Sequence, residues 1–509
     1  VKIFKYAGPP GTGKSTALLN VLDRLLAAGM PSEDIVFTTF TRAGANEAKE
    51  RAIKRFNLPP ARLPYFKTLH ALCYGQLNRQ VNLMSASDWC EIATKIGVFF
   101  SVRVSEDGIP RGATKGDALL TLWSLSRVMI VKPEEVWNMR DQYVRNFPAL
   151  TFQEFQHFMD TVKNYKASFS KLDYTDLLEL FLMEGQEVGA SHVIVDEAQD
   201  LSPLQWAVVR KLSIGCKELH IAGDDDQAIH EWNGASPKHF IEHRSDDYQV
   251  LPQSHRIPAS VHELATKIVG RIKTRLPKTY RPREERGEIL RFSSMDDSRL
   301  SEMFKTDESW FMLIRNHSIA PALSKFCRDK GLLVSGANGG LPVGLLDAIF
   351  TWKRLCSSGA ASKDEVLNLY NWMSTRDRVA YGSKTALQKS DKSVFTYEHL
   401  RELHGMKAGI LMPWSVALDK VMPEDVAYLQ AVEKHGSLDR APKVEIATIH
   451  AVKGREADNV LIMPDMTHQT HQGFVENQDA EHRVWYVGVT RARKRVIILN
   501  PSSRYHYNL

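Results

Sequence analysis

Short, wholly apolar runs alternate along this chain with longer stretches in which apolar residues recur every three or four positions. The short runs read as buried strands of a parallel sheet and the longer ones as amphipathic helices. Lys2–Tyr6 is the first such strand, and Thr16–Ala28, closed by Gly29, is the helix that follows it. Ile35–Thr39, Val193–Val195 and Leu219–Ala222 continue the strand set. A second set follows at Ile289–Phe292, Phe311–Ile314, Glu445–Thr448, Val460–Met463 and Val496–Leu499. Each set is interrupted. Residues 80–170 show helical patterning rich in aromatics (Trp123, Trp137, Phe152, Phe155, Phe158), and residues 341–442 are helical with few strand signals. The predicted organisation is α/β: residues 1–79 with 171–255 form one domain and 80–170 its helical insertion; residues 256–340 with 443–509 form a second and 341–442 its insertion. No fixed-period repeat or low-complexity tract interrupts this reading.

Composition narrows the class without naming a chemistry. A chain of 509 residues is long enough for about three or four compact units. With 43% apolar and 25% charged residues it reads as a soluble globular protein rather than a fibrous or disordered one. The five cysteines form no C-x-x-C pair and read as reduced, mostly buried thiols, which points to the cytoplasm. No apolar run is long enough to span a bilayer, so no membrane association is expected, and the chain starts on a strand rather than a signal peptide. It opens at Val1 instead of a methionine, which points to further sequence upstream. A net charge of +6 is compatible with nucleic acid but too small to argue for it.

The chemistry starts where the first strand ends. Gly8-Pro9-Pro10-Gly11-Thr12-Gly13-Lys14-Ser15, followed by Thr16, is a complete phosphate-binding loop between a strand and a helix. Glycine lets successive backbone N–H groups point inward at an anion, and the helix N-terminus adds its partial positive charge. Lys14 is placed to reach the β- and γ-phosphates of a nucleoside triphosphate, and the Ser15 hydroxyl to hold Mg²⁺. His192-Val-Ile-Val-Asp196-Glu197 is an apolar strand ending in two acids. Asp196 can hold the metal with Ser15, and Glu197 can orient and deprotonate the attacking water. Ile221-Ala-Gly223-Asp-Asp-Asp226-Gln227 is a second strand ending in polar residues, and Gln227 can sit beside the γ-phosphate and report its presence.

With these residues in view, the chain resembles the UvrD/Rep-type helicases of superfamily 1. Thr39-Phe40-Thr41-Arg42-Ala43 through Ala48, Thr68-Leu-His70, Leu172 to Leu178 and Asp196-Glu-Ala-Gln-Asp200 match family motifs in order. So do Gly223 to Gln227 with Trp232-Asn-Gly234-Ala235, Gln253-Ser-His255-Arg256, Thr448-Ile-His450 through Glu456, and Tyr486-Val-Gly488-Val-Thr490-Arg491-Ala492. The resemblance implies two RecA-like P-loop motor domains, each with a mainly helical insertion, and ATP held between the motor domains. It assigns the catalytic arginines to Arg256 and Arg491, the base-stacking position of the nucleotide to His255, and the ribose contact to Glu456. It assigns single-strand contacts to Phe40, Thr68, His70, Trp232, Thr448 and His450, with Phe40 and Trp232 as stacking platforms. The implied activity is ATP-driven translocation on single-stranded DNA and unwinding of tailed duplex, 3′ to 5′, alongside replication or repair proteins.

Some positions depart from the family pattern. His230 and His255 stand where tyrosine is usual, and Asn233 where arginine is usual. The family's adenine-reading glutamine lies upstream of the phosphate loop, before this chain begins. The insertion at 341–442 is short for the family. These departures keep a second reading open: an ATP-driven single-strand remodeller or loading factor with little unwinding. The basic stretch Lys267–Arg286 reads as a solvated helix face and loop, with DNA contact as its alternative.

Overall fold

The computed structural model describes residues 1–39, 42–77, 81–101, 114–144, 149–304, 306–335, 341–434, 438 and 442–509. Its strands, in chain order, are β1 (Lys2–Ala7), β2 (Ile35–Thr39), β3 (Phe66–Thr68), β4 (His192–Val195), β5 (Glu218–Gly223) and β6 (Asp247–Val250), then β7 (Glu288–Phe292), β8 (Trp310–Ile314) and β9 (Val334–Ser335). The short pair β10 (Ala360–Ser362) and β11 (Val394–Thr396) precedes β12 (Val444–Thr448), β13 (Ala457–Ile462) and β14 (Ala492–Leu499).

The first sheet runs in the order β3-β2-β4-β5-β1-β6, with its pairings parallel. β2 and β4 are buried along their whole length, as central strands covered on both faces must be. Alternation divides their side chains between two apolar layers. Ile35, Phe37 and Ile194 pack with Leu18 and Leu22 of the helix Lys14–Ala27. Val36, Val193 and Val195 pack with Trp206, Ile221 and Phe240 on the opposite side. Two strands of this sheet escape the sequence pattern. β3 is only three residues long, and β6 (Asp-Tyr-Gln-Val) is an edge strand that half-exposes its side chains. The second sheet runs β7-β14-β13-β8-β12-β9, and β8 pairs in parallel with β12 and β13. This is an α/β architecture of two RecA-like motor domains, each carrying a mainly helical insertion.

By packing, the chain falls into one unit of residues 1–289 with 468–495 and a second of 290–467 with 496–508. Within the first, helices Ala86–Ile96, Lys115–Val128 and Phe152–Phe169 gather a core from Trp89, Leu119, Leu122, Phe155, Phe158 and Val162. Each begins with a reciprocal cap: Ser85 with Asp88, Thr114 with Asp117, Thr151 with Glu154. Within the second, helices Leu345–Cys356, Lys363–Asn371 and Pro423–Lys434 and the antiparallel β10–β11 pair enclose Trp352, Tyr370, Phe395 and Leu429. No helix of the described residues is long and apolar enough to cross a membrane.

Candidate nucleotide and nucleic-acid site

The phosphate loop occupies the turn between β1 and the helix Lys14–Ala27. Gly11 (φ 72°) and Gly13 (φ 80°) adopt the left-handed backbone that side-chain-bearing residues avoid. Gly8 is required for space: a Cβ there would fall 1.9 Å from Lys14 Cγ, because the lysine stem lies across it. Lys14 Nζ donates to the Gly8 carbonyl at 3.0 Å, and the Thr12 hydroxyl donates to the Pro9 carbonyl at 2.8 Å. Pro9 and Pro10 are buried, whereas Ser15 and Thr16 are exposed at the mouth of the loop.

β4 delivers the acids to this loop. Ser15 Oγ donates to Asp196 Oδ2 at 2.8 Å, and Lys14 Nζ stands 4.0 Å from Glu197 Oε1. Glu197 itself takes a left-handed backbone (φ 53°), an outlier of the kind that concentrates at functional sites. Gln199 bridges outward: its Nε2 donates to Glu197 Oε2 at 2.6 Å, and its Oε1 accepts from the Asp224 N–H at 3.0 Å. Burial, reinforced by the neighbouring Glu197, pushes the Asp196 carboxyl up to about 6 against the pull of Lys14 and Ser15. A buried carboxylate paired with a serine hydroxyl and crowded by a second carboxylate is a donor set that a hard divalent cation relieves. The residues therefore fit Mg²⁺ bound with a nucleotide.

The two candidate arginines lie in the same unit as the loop. Arg491, almost wholly buried, donates from Nη2 to Gln227 Oε1 at 2.9 Å and from Nε to the Val487 carbonyl at 3.0 Å. Gln227 Nε2 in turn donates to Asp224 Oδ2 at 2.7 Å. Arg256 is carried by a segment fastened to the loop backbone: Ser254 Oγ donates to the Pro10 carbonyl and the His255 N–H to the Gly11 carbonyl, both at 2.8 Å. The contact is close enough that a Cβ on Gly11 would stand 2.4 Å from Arg256 Cβ. His255 is exposed and, with Gln253, Arg281, Arg283 and Glu284, lines an open pocket of about 830 Å³ beside the loop. That pocket is roomy enough for a nucleobase.

The candidate DNA residues are more scattered. Phe40 lies outside the described residues. Thr68 and Thr448 adopt the same local arrangement in the two units. Each ends a strand, is buried, and accepts at Oγ1 from the N–H three residues on, of Ala71 and Ala451 respectively, at 3.4 Å. Each is followed two positions later by a partly exposed histidine, His70 or His450. His70 meets Tyr174 edge-on at 6.3 Å between ring centres. Trp232 is half-buried: it packs against the helical core of residues 89–165 and stands 5.9 Å from the His230 ring. Thr448, His450 and the exposed Glu456 belong to the second unit.

Several site neighbours carry no signal of their own in the sequence. Ser254 and Gln199 are visible only as polar positions inside motifs. The basic stretch Lys267–Arg286 needs correction: Arg275 and Lys278 are not on a solvated face. Both are paired with the aspartates after β5, and the Lys278 side chain is only 1% exposed. The clue was available in the matching run Asp224–Asp226, which has no solvated reading once buried.

The UvrD/REP helicase N-terminal domain family matches residues 3–249, and the UvrD-like helicase C-terminal domain family matches residues 369–503. Among curated proteins, the chain is similar to the ATP-dependent DNA helicase PcrA of Bacillus subtilis, at 24% identity over 53% of this chain and 37% of PcrA. It is similar to the ATP-dependent DNA helicase Rep of Escherichia coli at 24% identity over 45% of this chain and 35% of Rep. A Rickettsia conorii protein named as a DNA helicase II homologue aligns at 21% identity over 97% of this chain and 89% of its own length. The chain thus spans little more than a third of PcrA and of Rep.

Proposed function

Because this chain belongs to the UvrD/Rep-type superfamily 1 helicases, we propose that it is a DNA-stimulated ATPase that moves along single-stranded DNA, 3′ to 5′, and separates tailed duplex. The observation that carries this reading is the convergence of Lys14, Ser15, Asp196, Glu197, Gln227 and Arg491 on one polar network from four separate stretches of sequence.

In this reading the loop N–H groups and Lys14 hold the β- and γ-phosphates, and Ser15 and Asp196 hold the metal. Bound Mg²⁺ offsets the charge that develops on the phosphate oxygens. Glu197, kept in place by Gln199, accepts a proton from the attacking water. Arg256 and Arg491 supply positive charge from outside the loop, where the transition state is more negative than bound ATP. His255 stacks on the base and Glu456 contacts the ribose. Phe40, Thr68, His70, Trp232, Thr448 and His450 hold the strand through base stacking and backbone contacts. Replication or repair proteins are the expected partners.

The deciding experiment is ATP turnover with and without a single-stranded oligonucleotide, followed by displacement of a labelled strand from a 3′-tailed duplex. Strong stimulation with displacement supports the motor reading; intact protein that is not stimulated overturns it. His230 and Asn233 in the third motif favour a second reading, a strand remodeller with weak unwinding. Stimulated turnover and protein stripping without strand displacement would select it.

A further inference from the structure

We infer that Lys278 is a positioning residue for ATP hydrolysis, holding Asp224 so that Gln227 presents its carbonyl oxygen to Arg491. The inference rests on the nucleotide site proposed above and adds a residue that touches neither ATP nor DNA.

The turn after β5 carries three consecutive aspartates, Asp224, Asp225 and Asp226, each at most 1% exposed. Three adjacent carboxylates cannot stay charged in such a place without compensating cations. Lys278 supplies the central one. Its Nζ lies 3.0 Å from Asp224 Oδ1 and 2.9 Å from Asp226 Oδ2, and it also pairs with Asp225 Oδ1. Arg275 forks onto Asp226 with bonds of 2.8 and 2.6 Å. The Leu276 N–H donates to Asp225 Oδ2 at 2.8 Å. Arg483 clamps the surrounding backbone, donating to the Asp225 carbonyl at 2.9 Å and the Thr274 carbonyl at 2.6 Å.

Asp224 is where this cluster meets the active site. Lys278 holds one of its oxygens, and the other accepts from Gln227 Nε2 at 2.7 Å. An amide side chain has one donor end and one acceptor end. With the donor end fixed on Asp224, the Gln227 oxygen must face Arg491 Nη2, 2.9 Å away. Without the Lys278 cation, Asp224 becomes a buried carboxylate without its counter-ion and turns away, and the Gln227 amide loses the partner that orients it. An amide turned end for end would aim N–H groups at the Arg491 guanidinium and push it off its position.

The test uses the full chain carrying Lys278→Met, Asp224→Asn, Gln227→Ala and the two double variants that include Gln227→Ala. Two quantities are read: kcat for ATP, and the ratio of affinities for a non-hydrolysable ATP analogue and for ADP. Lys278→Met is expected to lower kcat about tenfold or more and to shrink the analogue preference, with ADP affinity nearly unchanged. In the Gln227→Ala background it should cost little further, because both changes break the same relay. Multiplicative losses in the double variant, or equal loss of ADP and analogue binding, overturn the proposal. Should Lys278→Met fail to fold, Asp224→Asn, which keeps the side-chain shape, is judged by the same two criteria. The affinity ratio needs no DNA, so absence of DNA stimulation would sink the motor reading and still leave this result readable.

Discussion

Arg491 Nη2 donates to Gln227 Oε1 at 2.9 Å, joining residues 264 positions apart in sequence. The bond aims a guanidinium already fixed by the Val487 carbonyl and shields a buried charge that would otherwise be costly. If Arg491 serves the transition state rather than binding, Arg491→Ala should lower kcat by about a thousandfold. Nucleotide affinity should change far less. Steady-state turnover at saturating ATP, set beside titration with a fluorescent nucleotide, separates the two; a loss confined to affinity would reassign the residue.

Lys14 lies across Gly8 with its ammonium on the Gly8 carbonyl, poised inside the loop. Lys14→Ala should abolish hydrolysis and leave oligonucleotide binding in the absence of nucleotide largely intact. Fluorescence anisotropy of a labelled single strand checks the second half, and a phosphate-release assay the first.

Trp232 has one side engaged with the helical core of residues 89–165, so any base must stack on what remains. Trp232→Ala should weaken single-strand binding by about 1–3 kcal/mol, and Trp232→Phe should recover most of it. A loss under about 0.5 kcal/mol would remove Trp232 from the DNA contact and leave it as packing.

Acid stability should report a buried histidine pair. The His220 ring stacks on Phe4 at 4.7 Å, and its Nε2 lies 2.9 Å from Glu218 Oε2, the carboxylate that His192 also approaches. Burial holds both imidazoles below their ordinary range, with Glu218 pulling the other way and Arg24 adding to the depression. The unfolded chain takes up these protons near pH 6.5 while the folded chain refuses them. Stability is therefore full above about pH 6.5 and falls as pH drops below it. Glu218, held below the usual carboxylate range by burial-resisting bonds to His220, loses its contribution only at lower pH. Between pH 7.5 and 5 the His220→Gln variant should lose less melting temperature than the parent chain; an equal loss would refute this assignment.

What the sequence made legible follows from how far each signal reaches. β2, β4 and β8 are buried on both faces, so their apolar runs stand out; the polar edge strand β6 and the three-residue β3 have no such run. Lys14, Ser15, Asp196 and Glu197 sit at strand ends, where local spacing carries the chemistry. Lys278 stands in a basic stretch of the kind that is usually solvated, and only tertiary packing reveals the three aspartates around it. Thr68 and Thr448 were expected at the nucleic-acid backbone, and their hydroxyls accept the bond that starts the next turn of chain.

A triplet of carboxylates a few residues from a nucleotide site would ordinarily scavenge calcium or magnesium from solution. Here the ammonium group of Lys278 is a tenant that cannot diffuse away or be chelated. With Lys278 in that place, a free divalent ion gains no second berth there, so in the proposed reading magnesium would act only through the ion that accompanies the nucleotide.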